Sequence, residues 1–143
     1  MNKVTNEAVI DDGSELYTIK NKNGEIICQF SFNPTDTGIL DRYKEVSKDI
    51  SDYDLVKKSD EIGMEKAIVE LDNYIREKFN ILFNKDVSSG IFGVYAPCTV
   101  IANGDFFAEA VMEQMQKFIE NAFNVRLENK KAKIKKATAK YRK

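Results

Sequence analysis

Hydrophobic positions recur with a helical period over the stretch from Asp105 to Glu128. Apolar residues there are three and four positions apart, and at ~100° per residue they cover an arc of about 160°. These positions are Phe107, Ala108, Val111, Met112, Met115, Phe118, Ile119, Ala122 and Val125. An apolar arc this wide predicts a long helix that is covered by more than one neighbour, or by a neighbour and a partner chain. We expect Asn103 and Asp105 to cap its start.

A β-hairpin is predicted near the beginning of the chain, centred on Asn23-Gly24. This dipeptide favours a two-residue type I′ turn, because both central positions of that turn require positive φ. The register that this turn sets pairs Asn21 with Ile26, Ile19 with Cys28 and Tyr17 with Phe30. One face is then mostly apolar and the other mostly polar, as expected for a sheet that packs on helices.

Two amphipathic helices are predicted in the middle of the chain. The first follows Phe32-Asn33-Pro34-Thr35, has Asp36 or Thr37 as its cap and ends near residues 52–55. The second extends over Asp60–Phe79, where the apolar residues again recur every three to four positions. Both apolar stripes are expected to face the core.

The connection between the second helix and the last one is unusually apolar. Asp86 is expected to cap a short turn that carries Ile91 and Phe92 inward, and the loop that follows is longer and more hydrophobic than a connection requires. Either this loop covers the core or it forms part of a binding surface. The candidate protein-binding residues are Phe92, Val94, Tyr95 and Phe106, the last because it falls off the apolar stripe of the helix.

These elements predict an α+β fold, with an N-terminal β-hairpin packed with a bundle of about three to four α-helices, the C-terminal one long. Residues 1–14 are polar and aperiodic, and we expect a flexible N-terminus. Residues 15–129 are predicted to form a single α+β domain. Residues 130–143 are a basic C-terminal extension, which either continues the last helix or frays.

The composition is that of an ordinary globular protein, with 43% hydrophobic and 31% charged residues among 143. No apolar run approaches the ~18 residues needed to cross a membrane, and the N-terminus does not resemble a signal peptide. Cys28 and Cys98 lie in unrelated apolar contexts, which favours free, buried thiols in a reduced compartment. We therefore expect a cytoplasmic protein.

Charge is unevenly distributed along the chain. Residues 130–143 contain eight basic residues and no acid, which leaves 14 basic and 23 acidic residues, a net charge of −9, in residues 1–129. The extension can bind a polyanion or a protein partner, and the candidates are Lys130, Lys131, Lys133, Lys135, Lys136 and Lys140. Against nucleic-acid binding, arginine is scarce in the extension, Tyr141 is its one stacking ring, and the acidic body would repel DNA.

No pattern in the sequence indicates catalysis. The chain contains no histidine, which removes the commonest general base and metal ligand. Its two cysteines are far apart and form no CxxC pair, so they do not define a zinc site. The acidic residues lie mainly on the predicted polar faces of helices. We therefore predict a protein that is not an enzyme and has no cofactor and no metal.

One order of features resembles a known family. A hairpin leads into Phe32-Asn33-Pro34-Thr35 and a first helix, and a second helix leads to Phe79-Asn80-Ile81-Leu82-Phe83. A polar loop, Ile91-Phe92-Gly93, a last helix and a Lys-rich end with Lys140-Tyr141 follow. This order resembles the tail assembly chaperone family of long-tailed bacteriophages and prophages of Gram-positive hosts. Asn84 stands where that pattern would have glycine.

The resemblance implies a non-catalytic chaperone in the cytoplasm of the bacterial host. Members of this family bind the long, aggregation-prone tape-measure protein, help recruit tail tube subunits and are often oligomers. The alternative function is that of a nucleic-acid-binding accessory protein acting through the basic extension, although nucleic acid is the less favoured partner. No membrane partner is expected.

Overall fold

The structure, a computed structural model, describes residues 6–141 and has an α+β architecture. A two-stranded antiparallel sheet precedes the helices, and the last helix is the longest. The elements are β1 (Glu15–Lys20), β2 (Ile26–Phe32), α1 (Thr37–Ser51), α2 (Leu55–Ile62), α3 (Met64–Phe83), α4 (Ser88–Ile91) and α5 (Phe107–Tyr141). The predicted fold class, a hairpin with helices and a long C-terminal helix, is confirmed. The described residues contain five helices, where three to four were predicted.

The apolar face of the hairpin has the predicted register. Ile19 lies opposite Cys28 and Tyr17 opposite Phe30. The Tyr17 ring stacks on Phe118 of α5 with the ring centres 4.4 Å apart, and Cys28 and Phe30 are buried. The inner face of the sheet therefore packs directly on the long helix, which supplies the covering layer that a two-stranded sheet requires.

The turn of the hairpin differs from the predicted two-residue type I′ turn. The Gly24 N–H donates to the Asn21 carbonyl at 3.0 Å, and Gly24 has φ of +82°. Ile26 pairs with Lys20, so the predicted pairing of Asn21 with Ile26 is wrong by one residue. The Asn21 side chain accounts for the change, because its oxygen accepts the Glu25 backbone N–H at 3.0 Å. A type I turn followed by a left-handed glycine results.

A glycine divides the second predicted helix. The first helix, α1, begins after Asp36, whose carboxylate accepts a backbone N–H of the first turn, as predicted. The predicted helix over Asp60–Phe79 is instead the two helices α2 and α3, separated at Gly63 with φ of +91°. Asp54 caps α2 by accepting the Lys57 N–H at 3.0 Å. The apolar positions that predicted this helix all lie after Gly63, in α3, so the period gave no information about the chain before the glycine.

Two asparagines shape the end of α3. Asn84 adopts φ of +55°, the left-handed conformation that glycine usually supplies at a helix end. The Asn80 side chain accepts the backbone N–H groups of Val87 and Ser88 at 2.9 and 3.1 Å and so caps α4. The predicted cap, Asp86, is therefore wrong, because the side chain of Asn80 on α3 takes that role.

The last helix, α5, extends well beyond the rest of the molecule. It has 35 residues, about 52 Å at ~1.5 Å per residue. It begins at Phe107 and continues past residue 130 to Tyr141, so the basic extension continues the last helix. Every side chain from Leu127 to Lys140 is exposed. Val125, assigned to the apolar stripe, is exposed as well.

Arg126 of α5 forms hydrogen bonds with the segment after β2 and with the segment before β1. Its guanidinium donates to the Asn33 and Thr35 side-chain oxygens at 2.8 and 2.9 Å and to the Gly13 carbonyl at 2.9 Å, and it lies 3.6 Å from the Glu15 carboxylate. Of the predicted flexible N-terminus, residues 1–5 lie outside the described residues. Gly13 is held against the body by this contact.

We expect Arg126→Met to lower the free energy of unfolding by about 1–3 kcal/mol, since it removes three hydrogen bonds, two of them to acceptors at the end of the hairpin. Urea denaturation monitored by circular dichroism measures the change. Lys117→Met is the control, because Lys117 is an exposed cation on the same helix without these contacts. An equal loss in both variants would contradict the role assigned to Arg126.

Candidate protein-binding groove

An open, largely apolar groove lies between the tip of the hairpin, the segment Thr99–Asn103 and α5. Its volume is about 990 Å³. We call it the β1 groove, because the residues of β1 and its turn form one wall. Its lining residues are Thr18, Ile19, Lys20, Asn21, Lys22, Asn23, Ile27, Tyr95, Thr99, Val100, Ile101, Ala102, Asn103, Phe107, Ala110, Val111, Gln114 and Phe118.

The wall opposite β1 is a small, well-defined hairpin. Val100 and Phe106 form an isolated antiparallel bridge, and the Ile101 N–H donates to the Asp105 carbonyl at 2.8 Å. The turn closes where the Gly104 N–H donates to the Ile101 carbonyl at 2.9 Å, with Gly104 at φ of +91°. The wall is thus held in place by its own backbone hydrogen bonds.

The same segment caps α5. The Phe107 N–H donates to the Thr99 carbonyl at 2.7 Å, and the Ala108 N–H donates to the Pro97 carbonyl at 3.0 Å. These carbonyls satisfy N–H groups at the start of the helix, a role that the sequence assigned to Asn103 and Asp105. The groove wall and the start of the long helix are therefore one connected unit.

The four residues predicted to bind protein occupy different places. Phe92 is only 4% exposed, and its ring packs edge-on against Phe79 at 5.0 Å, so its assignment to a binding surface is corrected to the core. Val94 and Tyr95 are 61% and 40% exposed, and Tyr95 lines the β1 groove. Phe106 is half-buried and lines a separate cleft between α1, α3 and α5. The apolar loop therefore covers the core with one part and faces solvent with another.

Sequence reasoning missed two parts of the groove. The first is Val100, which is 65% exposed and lines the groove together with Tyr95. Its only signal in the sequence was its position in an apolar loop. The second part is the outer edge of β1: within the described residues, no backbone hydrogen bond joins positions 15–20 to anything but β2. The outer edge of β2 is different, because Gly90 of α4 lies against the Gln29 carbonyl. An uncovered strand edge is a template for a further strand.

The charged residues that line the groove are both basic. Lys20 and Lys22 are the charged residues of its lining, and the lining includes no carboxylate. The floor is formed by apolar groups such as Ile27 and Phe118. The groove therefore suits an apolar segment flanked by acidic residues, bound through side-chain burial and through backbone hydrogen bonds to β1.

The two cysteines are buried and free, and burial raises the pKa of each thiol to about 12. Because the thiolate forms only as pH approaches the pKa, about one thiol in 10⁴ is ionised at pH 8. We expect Cys28 and Cys98 to resist a thiol reagent in the folded protein at pH 8 and to react fully in urea. Rapid reaction of either thiol under native conditions would contradict this burial.

In the described residues, no group of three or more His, Cys, Asp or Glu side chains is placed to hold a metal ion. No helix in residues 6–141 is long and apolar enough to cross a membrane. The candidate lysines of the basic extension, Lys130, Lys131, Lys133, Lys135, Lys136 and Lys140, are all exposed on the distal part of α5.

Comparison of the chain with protein-family models, curated proteins and solved structures gives no match. The function proposed below therefore rests on the geometry of this chain and on the resemblance described above.

Proposed function

We propose that this protein is a non-catalytic tail assembly chaperone of a long-tailed bacteriophage or prophage. It binds the tape-measure protein and helps recruit tail tube subunits in the cytoplasm of the bacterial host. The β1 groove carries the proposal, because it combines an apolar floor, a free strand edge and exposed Tyr95 and Val100, with exposed Val94 next to Tyr95 in the chain. The order of motifs that resembles the chaperone family supports the same conclusion.

The groove suits a client that must be kept from aggregating. A long partner with exposed apolar segments gains free energy by burying them, at about 25 cal/mol per Å² of apolar surface. The lysines at the rim attract acidic residues that flank such a segment, and the charged faces of α1 to α3 keep the complex in solution. A binding protein needs no catalytic group for this task.

Co-expression tests the proposal. The protein is produced together with the tape-measure protein encoded in the same tail gene cluster, and soluble fractions are compared with those of the tape-measure protein alone. We expect the tape-measure protein to become soluble and to copurify with the chain. A tape-measure protein that stays insoluble and does not copurify would refute the proposal.

A second candidate function, nucleic-acid binding, rests on a different observation. Six lysines from Lys130 to Lys140 are exposed on a helix that extends away from the body. Titration of duplex DNA at several salt concentrations tests it, because each phosphate contact contributes about −0.9 to the slope of log K against log salt. Salt-dependent DNA binding without any effect on the tape-measure protein would favour this function over the chaperone.

A further inference from the structure

A smaller trough lies beside the first residues of β1. Its volume is about 360 Å³, and its apolar lining consists of Tyr17 of β1 and Phe118, Ala122 and Val125 of α5. As far as the structure describes the chain, the lining includes no residue of β2, so the trough lies on the outer side of β1. We call it the edge trough. Val125 is 62% exposed, so this trough leaves apolar surface in contact with water.

The segment before β1 has the composition that the β1 groove suits. Residues 7–12 are Glu-Ala-Val-Ile-Asp-Asp, an apolar core flanked by acidic residues. We call these residues the strap. Val9 and Ile10 are 99% and 82% exposed. Within the described residues, the Asp12 carbonyl is the one backbone group of the strap with a hydrogen-bond partner, the side-chain amide of Asn33 at 2.7 Å. The strap therefore has unpaired backbone groups, as does the outer edge of β1.

A turn sequence joins the strap to β1. Asp12-Gly13 is a dipeptide that favours a two-residue hairpin turn, and Gly13 already has φ of +83°. The base of the strap is held next to β1, because Arg126 donates to the Gly13 carbonyl at 2.9 Å and Asn33 donates to the Asp12 carbonyl. Folding the strap back onto β1 thus requires new backbone angles only at Asp12 and the residues before it.

Such a turn fixes the register of the strap on β1. It pairs Ile10 with Glu15, Val9 with Leu16 and Ala8 with Tyr17. Residues directly opposite each other project from the same face of a sheet. Because Tyr17 faces α5, Ile10 would project toward the edge trough and its exposed Val125. Val9 would lie next to Leu16, which is 62% exposed. Closure would therefore bury apolar side chains that are now in water.

The register also matches the charges of the β1 groove. Glu7 would lie opposite Thr18 and diagonally next to Lys20, which project from the same face of the sheet. Both Thr18 and Lys20 line the β1 groove. The closed strap would thus reach the groove, pair one of its basic residues and occupy the strand edge that a client would use.

We infer that the strap folds back on the outer edge of β1 as a third antiparallel strand and closes the β1 groove to clients. A client must displace the strap, so its apparent affinity falls in proportion to the fraction of molecules that are open. A strap closed in nine molecules of ten would weaken binding about tenfold. The pairing itself is a property of the free chain, whereas its regulatory effect rests on the proposed function.

Disulfide trapping in the free protein tests the pairing. Val9→Cys with Leu16→Cys places two thiols directly opposite each other, where Cα atoms are about 5.5 Å apart, within the range of disulfides. Ala8→Cys with Leu16→Cys is the matched control, since residue 8 projects from the other face of a paired strand. Cys28 and Cys98 are buried in both variants. We expect the intramolecular disulfide to form at least tenfold faster in the first variant under a mild oxidant.

Two results of this experiment would overturn the inference. Equal rates in the two variants would show that the strap does not pair with β1 in a fixed register. Disulfide-linked dimers as the main product, even in dilute protein, would show that the strap pairs with another copy of the chain.

Binding of a soluble fragment of the tape-measure protein tests the regulatory effect. The oxidised Val9→Cys, Leu16→Cys variant should bind it at least tenfold more weakly than the same protein after reduction, and the unmodified chain should bind equally after both treatments. Equal binding by the oxidised and reduced variant would overturn the closure of the groove. A fragment that binds neither the reduced variant nor the unmodified chain would refute the proposed function, while the disulfide rates in the free protein would still decide whether the strap pairs with β1.

Discussion

Replacing Phe92 with alanine is expected to lower the free energy of unfolding by about 3–5 kcal/mol, the range for a buried aromatic ring. Phe92 is 4% exposed and lies between Phe79, at 5.0 Å between ring centres, and Phe107, at 6.1 Å. The guanidinium of Arg76 lies 5.6 Å from the centre of its ring. Alanine leaves a cavity where α3, α4 and the start of α5 meet. Urea denaturation monitored by circular dichroism gives the change directly.

The neighbouring residue Val94 provides the control for this prediction. Val94 is largely exposed two positions further along the same loop. Val94→Ala is therefore expected to change the unfolding free energy by no more than about 0.5 kcal/mol. If Phe92→Ala were as mild as Val94→Ala, Phe92 would not belong to the core, and its original assignment to a binding surface would be restored.

Two acidic substitutions in and beside the β1 groove are expected to weaken binding of the proposed partner, the tape-measure protein, at least tenfold. Val94→Asp with Val100→Asp places two carboxylates where an apolar segment would be buried, and a charge buried without a partner is strongly unfavourable. Both valines are exposed in the free protein, so its stability should change little. Copurification yield and a binding titration with a soluble fragment of the partner measure the effect.

A matched double variant distinguishes an effect specific to the groove from a general effect of added surface charge. Val56 and Val69 are exposed valines on α2 and α3, away from the groove. Val56→Asp with Val69→Asp introduces the same charge and removes the same apolar area, and it should bind as the unmodified chain does. Equal loss of binding in both double variants would show that net charge, rather than the β1 groove, controls the interaction.

The sequence predicted those elements whose side chains repeat with a regular period. The apolar period located α1 and most of α5, and the alternation around Asn23-Gly24 located both strands. Prediction from the sequence failed where a single residue determines the backbone conformation. The apolar positions that predicted the second helix all lie after Gly63, so they did not indicate that a separate helix, α2, precedes it. The side chain of Asn21 changed the turn, because its bonds to the turn backbone outweigh the preference of the dipeptide.

The candidate site was predicted only in outline. An apolar loop before the last helix was recognised, but which of its residues point inward depends on contacts far away in the chain, such as that between Phe92 and Phe79. The groove also requires the free edge of β1 to lie near Val100, and no local pattern relates these segments. A surface formed by separate parts of the chain can be recognised only when the tertiary packing is known.

Amide hydrogen exchange on the purified complex with the tape-measure protein tests the central claim most directly. We expect slower exchange, on binding, at the outer edge of β1 and in the segment Thr99–Asn103, which face each other across the groove. The exposed face of α3 around Val69 should exchange as it does in the free protein. A complex in which the groove amides are unchanged and protection appears on α3 or the distal part of α5 would contradict the claim that the β1 groove binds the partner.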